Sequence, residues 1–218
     1  QPVERRLGLT REILEVMAET SHPCVIITKS SLVERDMDLL AALAEQGLVQ
    51  VMVSLTTLDR QLARCMEPRA ASPQRRLGII RRLAAKGIPA GVLAAPVVPV
   101  LTDPELESLL KSAREAGAQS AGYILLRLPH ELKTLFRDWL DVNYPQRAAH
   151  VMNAVRETRG GREYDPRFGA RQTGSGVLAD MISIRFRLAV KRLQFPGPGE
   201  LVCRAFRSPA ALRQPDLF

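Results

Sequence analysis

Lys29 and Ser54 each stand at the end of a short apolar run, which is typical of a buried strand. The Lys29 amine could carry phosphate or Schiff-base chemistry. The hydroxyls of Ser54, Thr56 and Thr57 could hold a ribose or a phosphate. A surface lysine at a turn and hydroxyls that cap a helix, as Thr57 is placed to do, are the ordinary alternatives.

Further candidates follow the second and third apolar runs. Glu67 and Arg69 place one acid and one base on the predicted loop 66–71. Because glutamate binds ammonium groups and arginine binds carboxylates, they could hold an amino-acid moiety, or they could pair with each other. Pro96 interrupts strand pairing next to Val97, which could free backbone groups to recognise a flat base. Simple termination of the strand is the alternative.

Four β/α units position these residues. Apolar runs predict strands at 25–28, 49–54, 89–97 and 120–126, and amphipathic stretches predict helices between them. Parallel strands place their carboxyl ends at one edge of a sheet, so we expect Lys29, Ser54, Pro96 and Arg127 to share one mouth. Four strands are too few to close a barrel.

The pattern changes after residue 128. Helices are predicted at 130–142, 146–158 and 175–193, with a glycine- and arginine-rich loop at 159–176. The sequence therefore predicts an α/β fold in three parts: four units of a partial barrel (1–128), a helical, basic extension (129–193) and a proline-rich tail (194–218). Since the chain begins with Gln1 and enters a helix almost at once, we expect it to be the carboxyl part of a larger enzyme.

Positive charge is concentrated in the last third of the chain. Residues 1–146 hold 18 basic and 17 acidic side chains, whereas residues 147–218 hold 13 and 6. This excess favours contact with nucleic acid, although a solvated basic surface is an equal alternative. Four arginines of the 159–176 region could bind phosphates while Tyr164 and Phe168 stack on a base, or the region could cap the open barrel with both rings packed inward. These arginines are Arg159, Arg162, Arg167 and Arg171.

Composition argues against a membrane protein and against a metal site. The longest apolar run, residues 88–101, is too short for a bilayer and contains three prolines. Residues 1–20 do not resemble a signal peptide, so we expect a cytoplasmic protein without a membrane partner. The three cysteines, Cys24, Cys65 and Cys203, lack the close spacing of metal ligands and are expected to be buried free thiols.

Several strings together resemble radical S-adenosylmethionine (SAM) proteins. They are ITKS (27–30), VSLTT (53–57), EPR (67–69) with SP (72–73), APVVP (95–99), and RGGR (159–162) with YDPRFG (164–169). The closest branch is that of DNA repair photolyase, which is related to spore photoproduct lyase. The resemblance runs through most of residues 1–193.

The resemblance implies a TIM-like partial (β/α)6 barrel that lacks its first two strands. In the family, the first of these strands carries a three-cysteine loop that binds a 4Fe-4S cluster. Lys29 would contact the carboxylate of SAM, Ser54 its ribose, and the backbone around Pro96 and Val97 its adenine. Glu67 and Arg69 are further implied cofactor contacts.

The family reaction passes one electron, supplied by an external donor, from the cluster to the sulfonium of SAM. The resulting 5′-deoxyadenosyl radical abstracts hydrogen from a substrate, which for this branch is a DNA lesion. No cluster-binding cysteine triplet occurs in the sequence, so we expect the chain alone to be inactive and the cluster to belong to the full-length protein. Two other hypotheses remain open: a noncatalytic nucleic-acid-binding module on a β/α scaffold, and a barrel enzyme that uses Lys29.

Overall fold

The computed structural model describes residues 3–208. The strands are β1 (Cys24–Thr28), β2 (Val49–Ser54), β3 (Ala90–Val97) and β4 (Ser120–Leu125). The α-helices are α1 (Glu4–Leu7), α2 (Leu9–Glu19), α3 (Met37–Glu45), α4 (Arg60–Met66), α5 (Pro73–Ala85), α6 (Leu106–Glu115), α7 (Leu132–Asn143), α8 (Ala148–Glu157), α9 (Ala170–Thr173) and α10 (Val177–Arg192). Short 3-10 helices cover Ser31–Asp36, Asp103–Glu105 and Cys203–Ala205.

The strands form one parallel sheet in the order β1-β2-β3-β4. Cys24 lies opposite Val49, and Gly91 lies opposite Ser120. Parallel neighbours require crossover connections, which the helices between successive strands supply. The predicted α/β fold, a partial β/α barrel followed by further helices, is confirmed.

Apolar spacing explains how the helices cover the sheet. Leu106, Leu109, Leu110 and Ala113 recur at the three- and four-residue intervals of one helix face, and all four are buried in α6. They join a core with the fully buried valines of β2 and with Leu40 and Leu43 of α3. In α2, Leu14 is buried, whereas the neighbouring Ile13 is exposed.

The carboxyl-terminal helices form a second apolar cluster. Phe136 and Leu140 of α7 pack with Val151 and Val155 of α8 and with Val98. Residues after α10, which include the 3-10 helix Cys203–Ala205, then cross the amino-terminal edge of the sheet. Three backbone bonds hold them there: Gly197 N to Gln119 O (3.0 Å), Val202 N to Gly47 O (3.0 Å) and Arg207 N to Thr20 O (2.8 Å). The expected tail beyond residue 208 lies outside the described residues.

The helical segment after β1 begins as the 3-10 helix Ser31–Asp36, with the Ser30 hydroxyl accepting from Leu32 N (3.1 Å). The next helix start differs from the sequence prediction. Helix α4 is capped by Asp59 and not by Thr57, because the Asp59 carboxylate accepts from Gln61 N (2.7 Å) and Leu62 N (3.1 Å). Thr57 instead accepts from Asp59 N (3.0 Å).

Among residues 3–208, none of the helices is both long enough and apolar enough to span a membrane.

Candidate functional site

The predicted mouth lies at the carboxyl ends of the strands. Lys29 directly follows β1, Ser54 ends β2 and Pro96 lies near the end of β3. A cavity of about 1020 Å³ opens at this edge, between the segment after β1 and the loop after α4. Its lining includes Lys29, Glu67 and Arg69, which the sequence singled out. Ser54, Pro96 and Arg127, which were expected to share this mouth, do not line the cavity, and Ser54 is buried.

Glu67 is the centre of the polar contacts at this cavity. One carboxylate oxygen, Oε1, contacts Lys29 Nζ in a short ion pair and lies 2.9 Å from Thr56 Oγ1. The other, Oε2, accepts from Arg76 Nη2 at 2.5 Å. The Glu67 side chain is only 11% exposed, so its charge is balanced chiefly by these two cations.

Arg76 connects the loop after α4 to the end of β2. Its side chain is 2% exposed, and it donates from Nε to Ala71 O (2.7 Å) and from Nη1 to Ser54 O (3.1 Å). Sequence reasoning missed this residue because the run 74–76 looks like a polar helix surface. A signal was present: Arg76 lies three, four and seven residues before Ile79, Ile80 and Leu83, on the buried face of α5.

Ser54 and Thr56 converge on the carbonyl of Ala95. Ser54 Oγ donates to this oxygen at 3.2 Å, and Thr56 Oγ1 lies 2.9 Å from it. Since Thr56 has one hydroxyl proton, that proton is shared between Ala95 O and Glu67 Oε1. The structure thus brings Ser54, Glu67 and the end of β3 into one hydrogen-bonded network.

The backbone near residue 97 is engaged in internal bonds. Val97 is buried, and its carbonyl accepts from Leu126 N at 2.9 Å. Val98 N donates to Thr102 Oγ1 at 2.8 Å. Pro96 is half-buried and is preceded by a cis peptide bond.

The charges around Glu67 determine its protonation. Burial alone would raise the pKa of Glu67, but the hydrogen bond from Lys29 and the charge of Arg76 outweigh burial and lower that pKa. Glu67 is therefore an anion at neutral pH.

Arg69 is exposed at the cavity rim. The expected alternative of a Glu67–Arg69 pair is not observed, since Glu67 pairs with Lys29 and Arg76.

This arrangement suits a zwitterionic ligand. Lys29 and Glu67 present opposite charges side by side on the cavity wall, and Arg69 adds a second cation at the rim. An amino-acid moiety carries an ammonium and a carboxylate a few bonds apart, which matches this pairing.

Metal ligands do not cluster in the described part of the chain. Within residues 3–208, no group of three or more His, Cys, Asp or Glu side chains could hold a metal ion, so these residues do not fit an iron-sulfur cluster. Cys24 is half-buried, and burial raises the pKa of its thiol. Cys65 and Cys203 are exposed, so the expectation of buried thiols is wrong for these two.

Arg159 is a structural clamp at the end of β4. Its side chain is 2% exposed; Nη1 donates to Ala170 O (2.9 Å) and Arg171 O (3.1 Å), and Nη2 to Leu125 O (3.1 Å) and Leu126 O (2.8 Å). Burial, with the nearby charge of Arg127, lowers its pKa. The predicted phosphate contact of Arg159 is therefore not accessible in this conformation, because the guanidinium is surrounded by carbonyls.

The other three arginines of the loop lie nearer the surface. Arg162 and Arg167 are exposed, and Arg167 pairs with Asp165 at 2.6 Å. Arg171 lies over the ring of Phe168, 5.1 Å from its centroid. Phe168 is 90% exposed, so the alternative in which this ring packs inward is wrong. Tyr164 is half-buried, and its hydroxyl lies 3.5 Å from Arg127 Nη2.

Comparison with known proteins defines the class. Residues 5–113, half of the chain, match the family model of the Radical SAM superfamily. The chain therefore belongs to this superfamily of enzymes, which use SAM and a 4Fe-4S cluster. The match covers Lys29, Ser54, Glu67, Arg76 and Pro96, and it ends before the 159–176 loop.

Several curated proteins are similar to the chain. An uncharacterized protein of Mycobacterium tuberculosis is 36% identical over 148 residues, which cover 67% of this chain and 44% of that protein. One of Acidianus two-tailed virus is 35% identical over 113 residues (50% and 37%), and one of Methanocaldococcus jannaschii is 27% identical over 153 residues (70% and 56%). The chain thus spans about half the length of these relatives. No solved structure gives a significant match.

Proposed function

We propose that the cavity beside Lys29 and Glu67 binds the amino-acid moiety of SAM, and that the protein abstracts hydrogen from a nucleic-acid substrate. The reaction would be a lyase-type repair of a DNA lesion, as in the DNA repair photolyase branch. The observation that carries the cofactor site is the Lys29–Glu67 ion pair on the wall of a cavity at the carboxyl edge of the sheet.

The ion pair would open when the cofactor enters. Lys29 then binds the SAM carboxylate, and Glu67 binds the ammonium, so each side chain exchanges one opposite charge for another. Arg76 and Thr56 remain on Glu67 and hold its carboxylate in place. The charge of Glu67 therefore stays balanced before and after binding, which keeps the cost of burying it low.

Ser54 and Pro96 would hold the nucleoside part of SAM. The Ser54 proton is donated to Ala95 O, and the residue is only 3% exposed. Its hydroxyl oxygen would accept a bond from a ribose hydroxyl only if the neighbouring groups move apart when the cofactor binds. The half-buried Pro96 ring offers an apolar contact for adenine. Arg69, exposed at the rim, is placed to add a second bond to the carboxylate.

The bound cofactor supplies one-electron hydrogen-abstraction chemistry. The cluster that feeds it would be held outside residues 3–208, since those residues contain no ligand set for it. We assign the cluster, and contact with an external electron donor, to the full-length protein. The task of the described residues is to orient SAM and to exclude water around it.

A nucleic-acid substrate is supported by the charge distribution. The excess of basic over acidic side chains lies in residues 147–218, and clustered cations attract phosphates. The same feature would suit a noncatalytic nucleic-acid-binding module, which is the second candidate. Schiff-base chemistry at Lys29 is less favoured, because the nitrogen that would attack a carbonyl is engaged in the ion pair with Glu67.

The cofactor site is tested by calorimetric titration of SAM into the purified full-length protein. Lys29→Ala removes a charge-assisted hydrogen bond and is expected to weaken SAM binding by roughly tenfold or more. Lys111→Ala is the matched control, since Lys111 is an exposed lysine of α6 outside the cavity, and it should bind like the wild type. Equal affinity of the Lys29→Ala variant and the wild type would contradict the proposal.

A further inference from the structure

The 159–176 loop lies outside the residues that match the family. We propose that Phe168 is a stacking surface for an unpaired nucleobase, and that Arg162 and Arg171 bind the adjoining phosphates. This inference rests on the nucleic-acid substrate proposed above and narrows it to nucleotides whose bases are out of a duplex.

The exposure of Phe168 needs a physical reason. Its ring is 90% exposed, although burying an aromatic side chain is among the larger stabilising contributions available to a protein. Arg171 lies 5.1 Å from the ring centroid, and a ring this exposed still has surface for a flat partner. Stacking on a base would bury apolar surface that folding leaves in water.

The structure contains a second arginine–aromatic pair, Arg114 and Phe195, whose ring packs against the core and which can be compared with Arg171 and Phe168. Arg114 lies 5.9 Å from the centroid of Phe195. There the ring is half-buried against the core, and Arg114 also donates to Leu193 O at 3.3 Å. Phe168 has no comparable packing, so its conformation is not explained by a role in the core.

The loop is firmly anchored despite this exposed tip. The four bonds of Arg159 tie residues 170–171 to the end of β4. Gly174 packs against the same place with φ +78°, and a Cβ there would lie 2.8 Å from Leu125 Cδ1 and 2.8 Å from Thr158 O. Phe168 is therefore presented by an anchored loop, which lowers the entropy cost of binding.

The anchor also places Phe168 near the carboxyl ends of the strands, which is the edge of the sheet where the cofactor cavity opens. Leu125 and Leu126 lie at the carboxyl end of β4, and Lys29 follows the carboxyl end of β1 in the same parallel sheet. A base stacked on Phe168 would thus lie on the side of the molecule where the cofactor cavity opens.

The charges around the ring fit a nucleic-acid strand. Arg162 is exposed and forms no ion pair among residues 3–208, so its guanidinium is available for phosphate. Arg167 is partly neutralised by Asp165. Stacking requires an accessible base face, which a single strand or an extruded nucleotide offers and an intact duplex does not.

The test is fluorescence anisotropy of a labelled oligonucleotide, as a single strand and as the matching duplex, with the purified full-length protein at several salt concentrations. The wild type should bind the single strand more tightly. Phe168→Ala should weaken single-strand binding by about tenfold, with the salt dependence unchanged, because a stacking contact is lost. Arg162→Ala should reduce the slope of log affinity against log salt by about 0.7.

Two further variants make the result specific. Phe206→Ala is the matched control, because Phe206 is an exposed aromatic next to Arg207, whose backbone is bonded to Thr20 at the opposite edge; it should bind like the wild type. Phe168→Trp should retain binding and show tryptophan quenching when the single strand is added. The inference is overturned if Phe168→Ala binds like the wild type, if Phe206→Ala loses as much affinity, or if the duplex binds as tightly as the single strand.

Titration of SAM into the same proteins separates this inference from the cofactor site. If SAM binding depends on Lys29 but no oligonucleotide binds, the stacking surface is overturned and the cofactor site stands. If single-strand binding depends on Phe168 while Lys29→Ala leaves SAM affinity unchanged, the stacking surface is supported and the cofactor site fails.

Discussion

Glu67 is an anion that is almost removed from solvent, and its position depends on a cation that is buried even more deeply. Arg76 binds Glu67, Ala71 O and Ser54 O together. Removing one partner of a buried ion pair leaves the other charge uncompensated, which costs far more than the loss of an exposed pair. The local stability of the site is therefore concentrated in Arg76.

We expect Arg76→Leu to lower the free energy of unfolding by about 3 kcal/mol, because the Glu67 charge loses its buried partner. Arg82→Leu provides the control in the same helix. Arg82 is exposed and pairs with Glu34, and its loss should cost less than about 1 kcal/mol. Urea unfolding followed by circular dichroism measures both values. A cost for Arg76→Leu no larger than that for Arg82→Leu would refute the buried network.

The lowered pKa of Glu67 predicts a pH dependence. A carboxyl whose pKa is lower in the folded state stabilises the fold above its unfolded pKa, and this contribution disappears as the pH falls through the lower, folded pKa. The stability difference between the wild type and Glu67→Gln should thus be largest near neutral pH. It should shrink on acidification below about pH 4.3, the ordinary glutamate pKa.

Unfolding curves of both proteins from neutral pH downward measure this difference. If the stability difference between the wild type and Glu67→Gln increases in acid, the pKa of Glu67 is raised in the folded protein and not lowered.

At the scale of elements, the strands were the most predictable part. The predicted run 49–54 coincides with β2, and the other three strands differ by one residue at an end. β2 and β3 are buried along nearly their whole length, and strands buried on both faces of a parallel sheet read as continuous apolar runs, so local composition is enough to find them. The positions of Lys29, Ser54 and Pro96 at strand ends were predictable for the same reason.

Contacts between distant segments were not predictable from local patterns. Arg76 looks like one more surface arginine until the buried face of α5 is defined. Arg159 and Phe168 lie in one glycine-rich loop, yet the first is buried and the second is exposed. That difference depends on the four carbonyls around Arg159, which belong to α9 and to Leu125 and Leu126 at the end of β4 and have no signature near residue 159.

Gly174 should be essential for the anchoring of the loop. With φ +78° and no room for a Cβ, Gly174→Ala is expected to release the 159–176 segment and to speed amide hydrogen exchange there. Gly160→Ala is a matched control, because φ is +63° but no atom lies within 4 Å of the added Cβ. Exchange rates that rise equally in both variants would show that backbone strain alone, and not the close approach, is responsible.

At the scale of the molecule, β1 is an edge strand of the sheet. Within residues 3–208 it pairs only with β2, and Val25 and Ile27 expose one apolar face. Exposed strand edges with apolar side chains associate with other chains unless they are covered.

We therefore expect the 218-residue chain to self-associate in solution, and Val25→Lys to reduce this association by placing a charge on the edge strand. Val142→Lys is the control, because Val142 is also exposed but lies on α7. Sedimentation velocity over a concentration series measures the effect. If both variants associate like the wild type, the β1 edge is not the contact.

Every role proposed for the cavity depends on recognition of the amino-acid moiety of SAM by Lys29. The most direct measurement compares the affinity for SAM with that for 5′-methylthioadenosine, which lacks this moiety, in the wild type and in Lys29→Ala. We predict that the wild type prefers SAM by about tenfold or more and that the variant binds the two ligands with nearly equal affinity. An undiminished preference for SAM in Lys29→Ala would contradict the claim.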